Sequence, residues 1–211
     1  MPLPVILSAP SGAGKTTIAR RVIELRPDVV YSISATTRAR RGAEREGVDY
    51  FFLTDEEFQR RRRGGDFAEF AQVHGNWYGT PKSEVERTLG AGKHVLLDID
   101  VQGGRSFRRI FAESVLIFVL PPSVDALVAR LDARRTESAE SLSRRLQTAL
   151  SEIEAASEYD YLVVNDQLDA SARLVSSIID AETARSRRGT TITKSVTALV
   201  SELRRDILAR I

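Results

Sequence analysis

Ser8-Ala9-Pro10-Ser11-Gly12-Ala13-Gly14-Lys15-Thr16-Thr17 decides the fold of this 211-residue chain. The residues before it, Val5-Ile6-Leu7, are apolar and compose a short buried strand. The residues after it, 16–25, read as a helix that Pro27 stops, because the residue before a proline avoids helical angles. Residues 29–33 read as a second strand. Strand, glycine-rich turn, helix and strand make a βαβ unit, which calls for a parallel sheet with helical crossovers. The turn itself has the form of a P-loop, with Ala9 where the general pattern carries its first glycine. Its composition follows from its chemistry. Glycines let backbone N–H groups converge on a phosphate, and the helix N-terminus behind them adds partial positive charge. Lys15 supplies a compact ammonium for the β- and γ-phosphates, and the Thr16 hydroxyl suits Mg²⁺. Ser11, Gly12, Ala13, Gly14, Lys15, Thr16 and Thr17 are therefore the candidate ATP-phosphate residues.

Working outward, residues 36–48 form a basic loop that carries Arg38, Arg40, Arg41 and Arg45. A short strand over 50–53 follows, and Thr54-Asp55-Glu56-Glu57 is a capping box that opens a helix to Arg63. Residues 67–73 and 76–80 read as strands, and Thr80-Pro81 as N-cap and first residue of a helix ending at Leu89. Residues 35–80 are thus a small mixed α+β insertion in a parallel α/β core. The core resumes with a strand over 94–100 ending in acids, where Asp98 falls near the phosphates and can hold Mg²⁺ or its waters. A helix over 103–110, a strand over 115–120, helices over 124–134 and 142–157, a strand over 161–165 and a helix over 168–187 complete it. The expected fold is a P-loop NTPase-type parallel sheet flanked by helices, with the insertion and a helical lid. The expected divisions are a core of residues 1–34, 81–129 and 158–211, an insertion of 35–80 and a lid of 130–157.

Composition narrows the function. The chain has no Cys and only two His, which excludes disulfides, thiolate zinc sites and a three-histidine metal site. Both histidines, His74 and His94, read as structural. Basic and acidic residues number 31 and 29, so the net charge is +2 and a nucleic-acid partner is not expected. Only four of the basic residues are Lys, and one of them, Lys15, stands where a phosphate ring calls for an ammonium in preference to a planar guanidinium. No apolar run approaches the ~20 residues that span a bilayer, and the apolar start reads as a strand and not a signal peptide. A membrane partner is not expected, and the expected setting is the cytoplasm. Residues 195–209 read as an amphipathic helix whose apolar face, Val196, Leu199, Val200, Leu203, Ile207 and Leu208, either packs on the core or joins a homo-oligomer.

A P-loop alone leaves ATPases, GTPases and kinases open. The Asn-Lys-x-Asp motif that reads guanine in GTPases is missing, since Asn76 and Asn165 are the only asparagines. The whole pattern resembles the guanylate kinases, nucleoside monophosphate kinases that convert GMP to GDP. The resemblance covers about residues 4–188. Beyond the P-loop it rests on Ser34-Ala35-Thr36-Thr37-Arg38-Ala39-Arg40-Arg41-Gly42 with Glu44, and on Asp49-Tyr50-Phe51-Phe52 and Phe67-Ala68-Glu69. It continues through Asn76-Trp77-Tyr78-Gly79-Thr80, Leu97-Asp98-Ile99-Asp100-Val101-Gln102-Gly103, Phe118-Val119-Leu120-Pro121-Pro122-Ser123 and residues 159–166.

The resemblance implies that ATP and GMP are the partners, with Mg²⁺ accompanying ATP. It implies that Arg38, Arg41, Tyr50 and Tyr78 hold the GMP phosphate, where two guanidiniums cancel the repulsion between acceptor and donor phosphates. Glu69 matches the carboxylate that accepts from guanine N1–H and N2–H₂ together, a pair adenine lacks. Ser34 and Thr80 match hydroxyls on the O6 side, and Asp100 an acid at the guanine edge. Arg134 and Arg145 match lid arginines that reach the transferring phosphates, with Arg130 a further candidate, and Asn165 matches a residue near adenine. The sequence departs from the family pattern at Arg40 for a common proline, Arg135 for a lid glycine, Trp77 for tyrosine and Thr80 for serine. A second reading is a non-catalytic protein-binding module of the same fold, which the intact Lys15, Thr16, Arg38, Arg41 and Asp98 oppose.

Overall fold

A computed structural model describes residues 1–73, 75–132, 139–185 and 198–203. Five parallel strands form its central sheet: β1 (Pro4–Ser8), β2 (Val29–Tyr31), β7 (His94–Asp98), β8 (Val115–Leu120) and β9 (Tyr161–Val164), in spatial order β2-β7-β1-β8-β9. Period-two alternation explains the apolar runs of β1, β7 and β8, whose successive side chains enter opposite cores. Val5 and Leu7 pack with Ile18, Val22, Val175 and Ile179, on the side covered by α1 (Lys15–Leu25) and α7 (Leu168–Ala184). Ile6, Val95 and Leu97 pack with Val85 and Phe107, on the side of α3 (Lys82–Gly90) and α4 (Val101–Ile110).

The insertion builds a separate four-stranded sheet, ordered β4-β3-β6-β5, from β3 (Ala35–Thr36), β4 (Phe51–Phe52), β5 (Phe67–Val73) and β6 (Asn76–Pro81). β3 runs parallel to β4 and antiparallel to β6, which pairs antiparallel with β5. Its core is Ala35, Phe58 and Phe67. Phe58 comes from α2 (Asp55–Gly64), where Thr54 Oγ1 accepts from Glu57 N at 3.2 Å as the capping box requires. Trp77, at a position where tyrosine was the family expectation, stacks on Phe58 at 5.8 Å and receives the Arg62 guanidinium at 4.8 Å. α5 (Val124–Asp132) and α6 (Ala139–Glu154) pack together through Leu127, Leu131 and Ala149, and a 3₁₀ turn (Ala155–Glu158) leads to β9.

Several boundaries differ from the sequence reading. The strand expected over 29–33 ends at Tyr31, and the chain then re-enters a strand at Ala35 in the other sheet. Thr80 is not a helix cap. It lies in β6, and Pro81 takes the N-cap position of α3 with no side-chain cap bond. The acidic strand stops at Asp98, and Asp100 caps α4, which starts two residues earlier than expected because the Asp100 side chain accepts from Gly103 N. His94 is structural: it is buried, and its Nδ1 accepts from Leu3 N at 3.3 Å. His74 lies outside the described residues, as does most of the expected terminal helix. Residues 198–203 of that helix are helical, with Leu199, Val200 and Leu203 exposed.

Candidate active site

The parallel register puts Leu7 opposite Asp98, so the loop leaving β1 starts beside the acid that ends β7. This is the carboxyl edge of the sheet, where open α/β sheets bind ligands. Gly12 and Gly14 take φ of +85° and +90°, values that favour glycine. At Gly14 space forbids a side chain as well, because a Cβ there would lie 2.4 Å from Asn165 Nδ2. The Asn165 amide donates to the Ala13 carbonyl at 2.7 Å, and Arg130 Nη1 reaches the same oxygen at 3.4 Å. Asn165 is buried, and its amide braces the loop.

Lys15 opens α1. Burial lowers the pKa of its ammonium, against the opposing pull of Asp98, Asp100, Glu152 and Glu69. Thr16 Oγ1 donates to Asp98 Oδ2 at 2.6 Å, and the Tyr31 hydroxyl donates to Asp98 Oδ1. Thr17 is exposed, as is Ser11, whose N–H points at Glu152 Oε2 of α6 at 3.4 Å.

A cleft of about 200 Å³ adjoins this loop, lined by Tyr31, Ser34, Tyr50, Glu69, Tyr78, Asp98 and Asp100 among others. It brings together six residues expected from sequence to serve GMP or metal, drawn from both sheets. Glu69 and Thr80 are cross-strand partners in β5 and β6, next to a register shift between Phe67 and Glu69. Thr80 Oγ1 accordingly donates to Glu69 Oε1 at 2.6 Å, and both residues are buried. Gly103 makes room for the acid, since a Cβ there would lie 3.1 Å from Glu69 Oε2 and 3.3 Å from Asp100 Oδ1. Two carboxylates thus converge on one glycine at the start of α4. Burial pushes the Glu69 carboxyl up to about 7, and the Asp100 charge pushes the same way, while Thr80 and Lys15 pull down.

Arg38 is buried and held by Glu44, with Nη2 on Oε1 at 2.7 Å and Nη1 on Oε2 at 3.1 Å. Its guanidinium lies 5.3 Å from the Tyr50 ring centroid. Those Glu44 bonds come first among the causes that raise the Arg38 pKa. Glu44 Oε2 also accepts from Arg41 N at 2.8 Å, so one carboxylate ties the two expected phosphate arginines into one loop, and the Arg41 side chain stays exposed. Of the expected lid arginines, Arg145 Nη1 donates at 3.0 Å to the carbonyl of Leu131, the residue that packs on Gly12. Arg134 lies outside the described residues.

Sequence reasoning assigned no role to Glu44, Tyr31 or Glu152. For Glu44 a signal existed, as it is the only acid between Arg38 and Arg45. Tyr31 and Glu152 carry none, because their contacts join residues 67 and 141 positions apart.

A family model described as guanylate kinase matches residues 1–182. The chain belongs to the guanylate kinase family. It is 47% identical over 185 residues to the guanylate kinase of Myxococcus xanthus, covering 87% of this chain and 88% of that one. To the guanylate kinase of Chelativorans sp. it is 44% identical over 199 residues, covering 94% and 91%. The crystal structure of guanylate kinase from Anaplasma phagocytophilum superposes with a TM-score of 0.72 at 35% identity, covering 92% of each chain. Guanylate kinases are phosphotransferases, and in this member Asp98 both bonds to Thr16 of the phosphate loop and lines the neighbouring cleft.

Proposed function

We propose that this chain transfers the γ-phosphoryl group of ATP to GMP, giving ADP and GDP. The observation that carries the reading is Glu69: a buried carboxylate, oriented by Thr80, in a cleft that shares Asp98 with the phosphate loop. Guanine presents two adjacent donors to such a carboxylate, and adenine does not. Asp100 stands beside Glu69 with one oxygen committed to Gly103 N at 2.7 Å, which leaves the other for the base. Ser34 and Thr80 supply hydroxyls, and Arg38, Arg41, Tyr50 and Tyr78 suit the acceptor phosphate. Residues 11–17 suit the donor phosphates, and Asn165 serves them by bracing Ala13. Arg145 and Arg134 are assigned to the closing lid.

The acceptor oxygen belongs to a phosphate whose second pKa is about 6, so it is largely deprotonated at neutral pH and no general base is required. Catalysis is then positioning, charge stabilisation and exclusion of water. Arg38 and Lys15 supply cationic charge for the acceptor and donor phosphates respectively. The donor set fits Mg²⁺, since Thr16 Oγ1 and Asp98 Oδ2 are hard oxygens 2.6 Å apart. Among the described residues no group of three or more acidic, His or Cys side chains could hold a metal by itself. That suits a cation that takes its remaining ligands from water and phosphate. When bound, Mg²⁺ would supply charge neutralisation between the β- and γ-phosphates.

Residues 35–80 serve as the acceptor unit, 130–157 as the lid and the remainder as the core. The missing cysteines support a cytoplasmic setting. The exposed Leu199, Val200 and Leu203 support a homo-oligomer through the C-terminal helix, which light scattering would reveal. The non-catalytic reading is disfavoured by the complete phosphate loop and its paired Asp98. ADP release with GMP, AMP, CMP and UMP as acceptors tests the whole assignment. GMP turnover far above the others is expected, and equal turnover with AMP would overturn it.

A further inference from the structure

Asp98 is held by two hydroxyls, one on each oxygen. Thr16 Oγ1 takes Oδ2 at 2.6 Å, and the Tyr31 hydroxyl takes Oδ1. The topology explains why these three meet. β2 and β7 are parallel neighbours with Tyr31 opposite Leu96, so Tyr31 lies two residues short of Asp98 in register. Side chains two apart on a strand share a face, so Asp98 projects on the same side as Leu96. Leu96 belongs to the core that faces α1, and Tyr31 packs against that same core. The phenol therefore runs forward along the sheet from β2 and meets Asp98 on the side from which α1 presents Thr16. Tyr31 is partly buried, and its hydroxyl donates to Asp98 Oδ1.

The two hydroxyls differ in what else they can do. Thr16 is itself suited to the cation, to which it can offer a lone pair while its proton stays on Asp98 Oδ2, so its place is tied to the metal. Tyr31 has no such second duty, and it fixes the other carboxylate oxygen whether or not the cation is bound. We propose that Tyr31 is a positioning residue for this reaction, whose hydroxyl sets the orientation of Asp98 between the phosphate loop and the acceptor cleft. The inference rests on the reading of Asp98 as the residue facing the nucleotide's metal. It assigns to the end of β2 a task in metal affinity and none in acceptor recognition, although Tyr31 also lines the acceptor cleft.

The test uses the full chain and the variants Tyr31→Phe, Asp98→Asn and their combination. Mn²⁺ binding to the enzyme–ADP complex, followed by the electron paramagnetic resonance signal of free Mn²⁺, gives a readout independent of turnover. Tyr31→Phe is expected to weaken Mn²⁺ binding three- to tenfold, leaving GMP affinity, measured by calorimetry without metal, within twofold. In the Asp98→Asn background, Tyr31→Phe should change Mn²⁺ affinity by less than twofold, because its only route to the metal has been removed. Unchanged Mn²⁺ affinity in Tyr31→Phe overturns the proposal. So does an equal loss in both backgrounds, which is the mark of a general structural effect. Weakened GMP binding with Mn²⁺ affinity intact overturns it in favour of a substrate contact. If Asp98→Asn itself leaves Mn²⁺ affinity unchanged, the reading of Asp98 fails first and the proposal falls with it.

Discussion

Glu69 makes a quantitative prediction about pH. Its carboxyl is pushed up to about 7 in the empty site, mainly by burial and further by Asp100. Guanine donors need the carboxylate, so GMP binds the ionised form and a proton must leave. With a pKa near 7, about nine-tenths of empty sites are ionised at pH 8 and about one-tenth at pH 6. The KM for GMP at saturating ATP should therefore rise about tenfold from pH 8 to pH 6, equivalent to about 1.4 kcal/mol. Ionisation of the GMP phosphate, with a second pKa of about 6, adds a further factor of only about two at pH 6. Calorimetry at pH 6 in buffers of different ionisation enthalpy should count close to one proton released per GMP from the protein. Glu69→Gln serves as control, and its weak residual binding should show only the phosphate's twofold.

The same residue predicts a stability change of opposite sense. A carboxyl whose folded pKa lies above its unfolded value costs nothing below the unfolded value and its full penalty above the folded one. The interval from 4.5 to about 7 is worth about 3 kcal/mol at pH 8. A glutamine can still accept from Thr80 and can donate to Asp100. Glu69→Gln should thus raise the melting temperature of the empty enzyme by several degrees at pH 8 and by nothing at pH 4.5. A GMP KM that varies by no more than twofold across pH 6–8 in the wild type would refute the argument, and so would a destabilised Glu69→Gln at pH 8.

Two further predictions follow from neighbouring contacts. Glu44→Ala removes the two-point clamp on a buried guanidinium. The KM for GMP should rise about tenfold, or about 1.4 kcal/mol, with the KM for ATP little changed, and steady-state kinetics with each substrate varied would check it. Gly14→Ala combines a left-handed φ of +90° with a Cβ 2.4 Å from Asn165 Nδ2, so the amide must leave Ala13. About 3 kcal/mol of stability should be lost, lowering the melting temperature by about 6–12 °C. Asn165→Ala in the same chain should recover the part due to the clash and leave the backbone cost. Equal melting of the single and double variants would count against this account.

Local patterning carried much of the architecture. The apolar runs at 5–7, 95–97 and 115–120 declared strands covered on both faces, and Thr54 with Glu57 declared the start of α2. The phosphate loop was legible residue by residue, because its geometry is built from consecutive residues whose types are dictated by φ and charge. The guanine pocket was legible only through family resemblance. Thr80 illustrates the limit. Beside Pro81 it has every local mark of a helix cap, yet it lies in β6 with its hydroxyl on Glu69. What decides between those roles is the register of β5 against β6, including the shift at Phe67 and Glu69, which no run of neighbours encodes.

The same holds for Tyr31 on Asp98 and Asn165 on Ala13. Sequence periodicity states which face a side chain takes. Partners 67 or 152 positions apart are chosen by strand order and by the room that a glycine leaves. The sequence alone determined a parallel α/β phosphate-binding core, its cationic loop and its opposing acid. Tertiary packing alone decided that a buried glutamate would face that core with its proton held near neutrality. Desolvation depends on everything that surrounds a group, and the chain supplies those surroundings from β5, β6 and α4 only when folded.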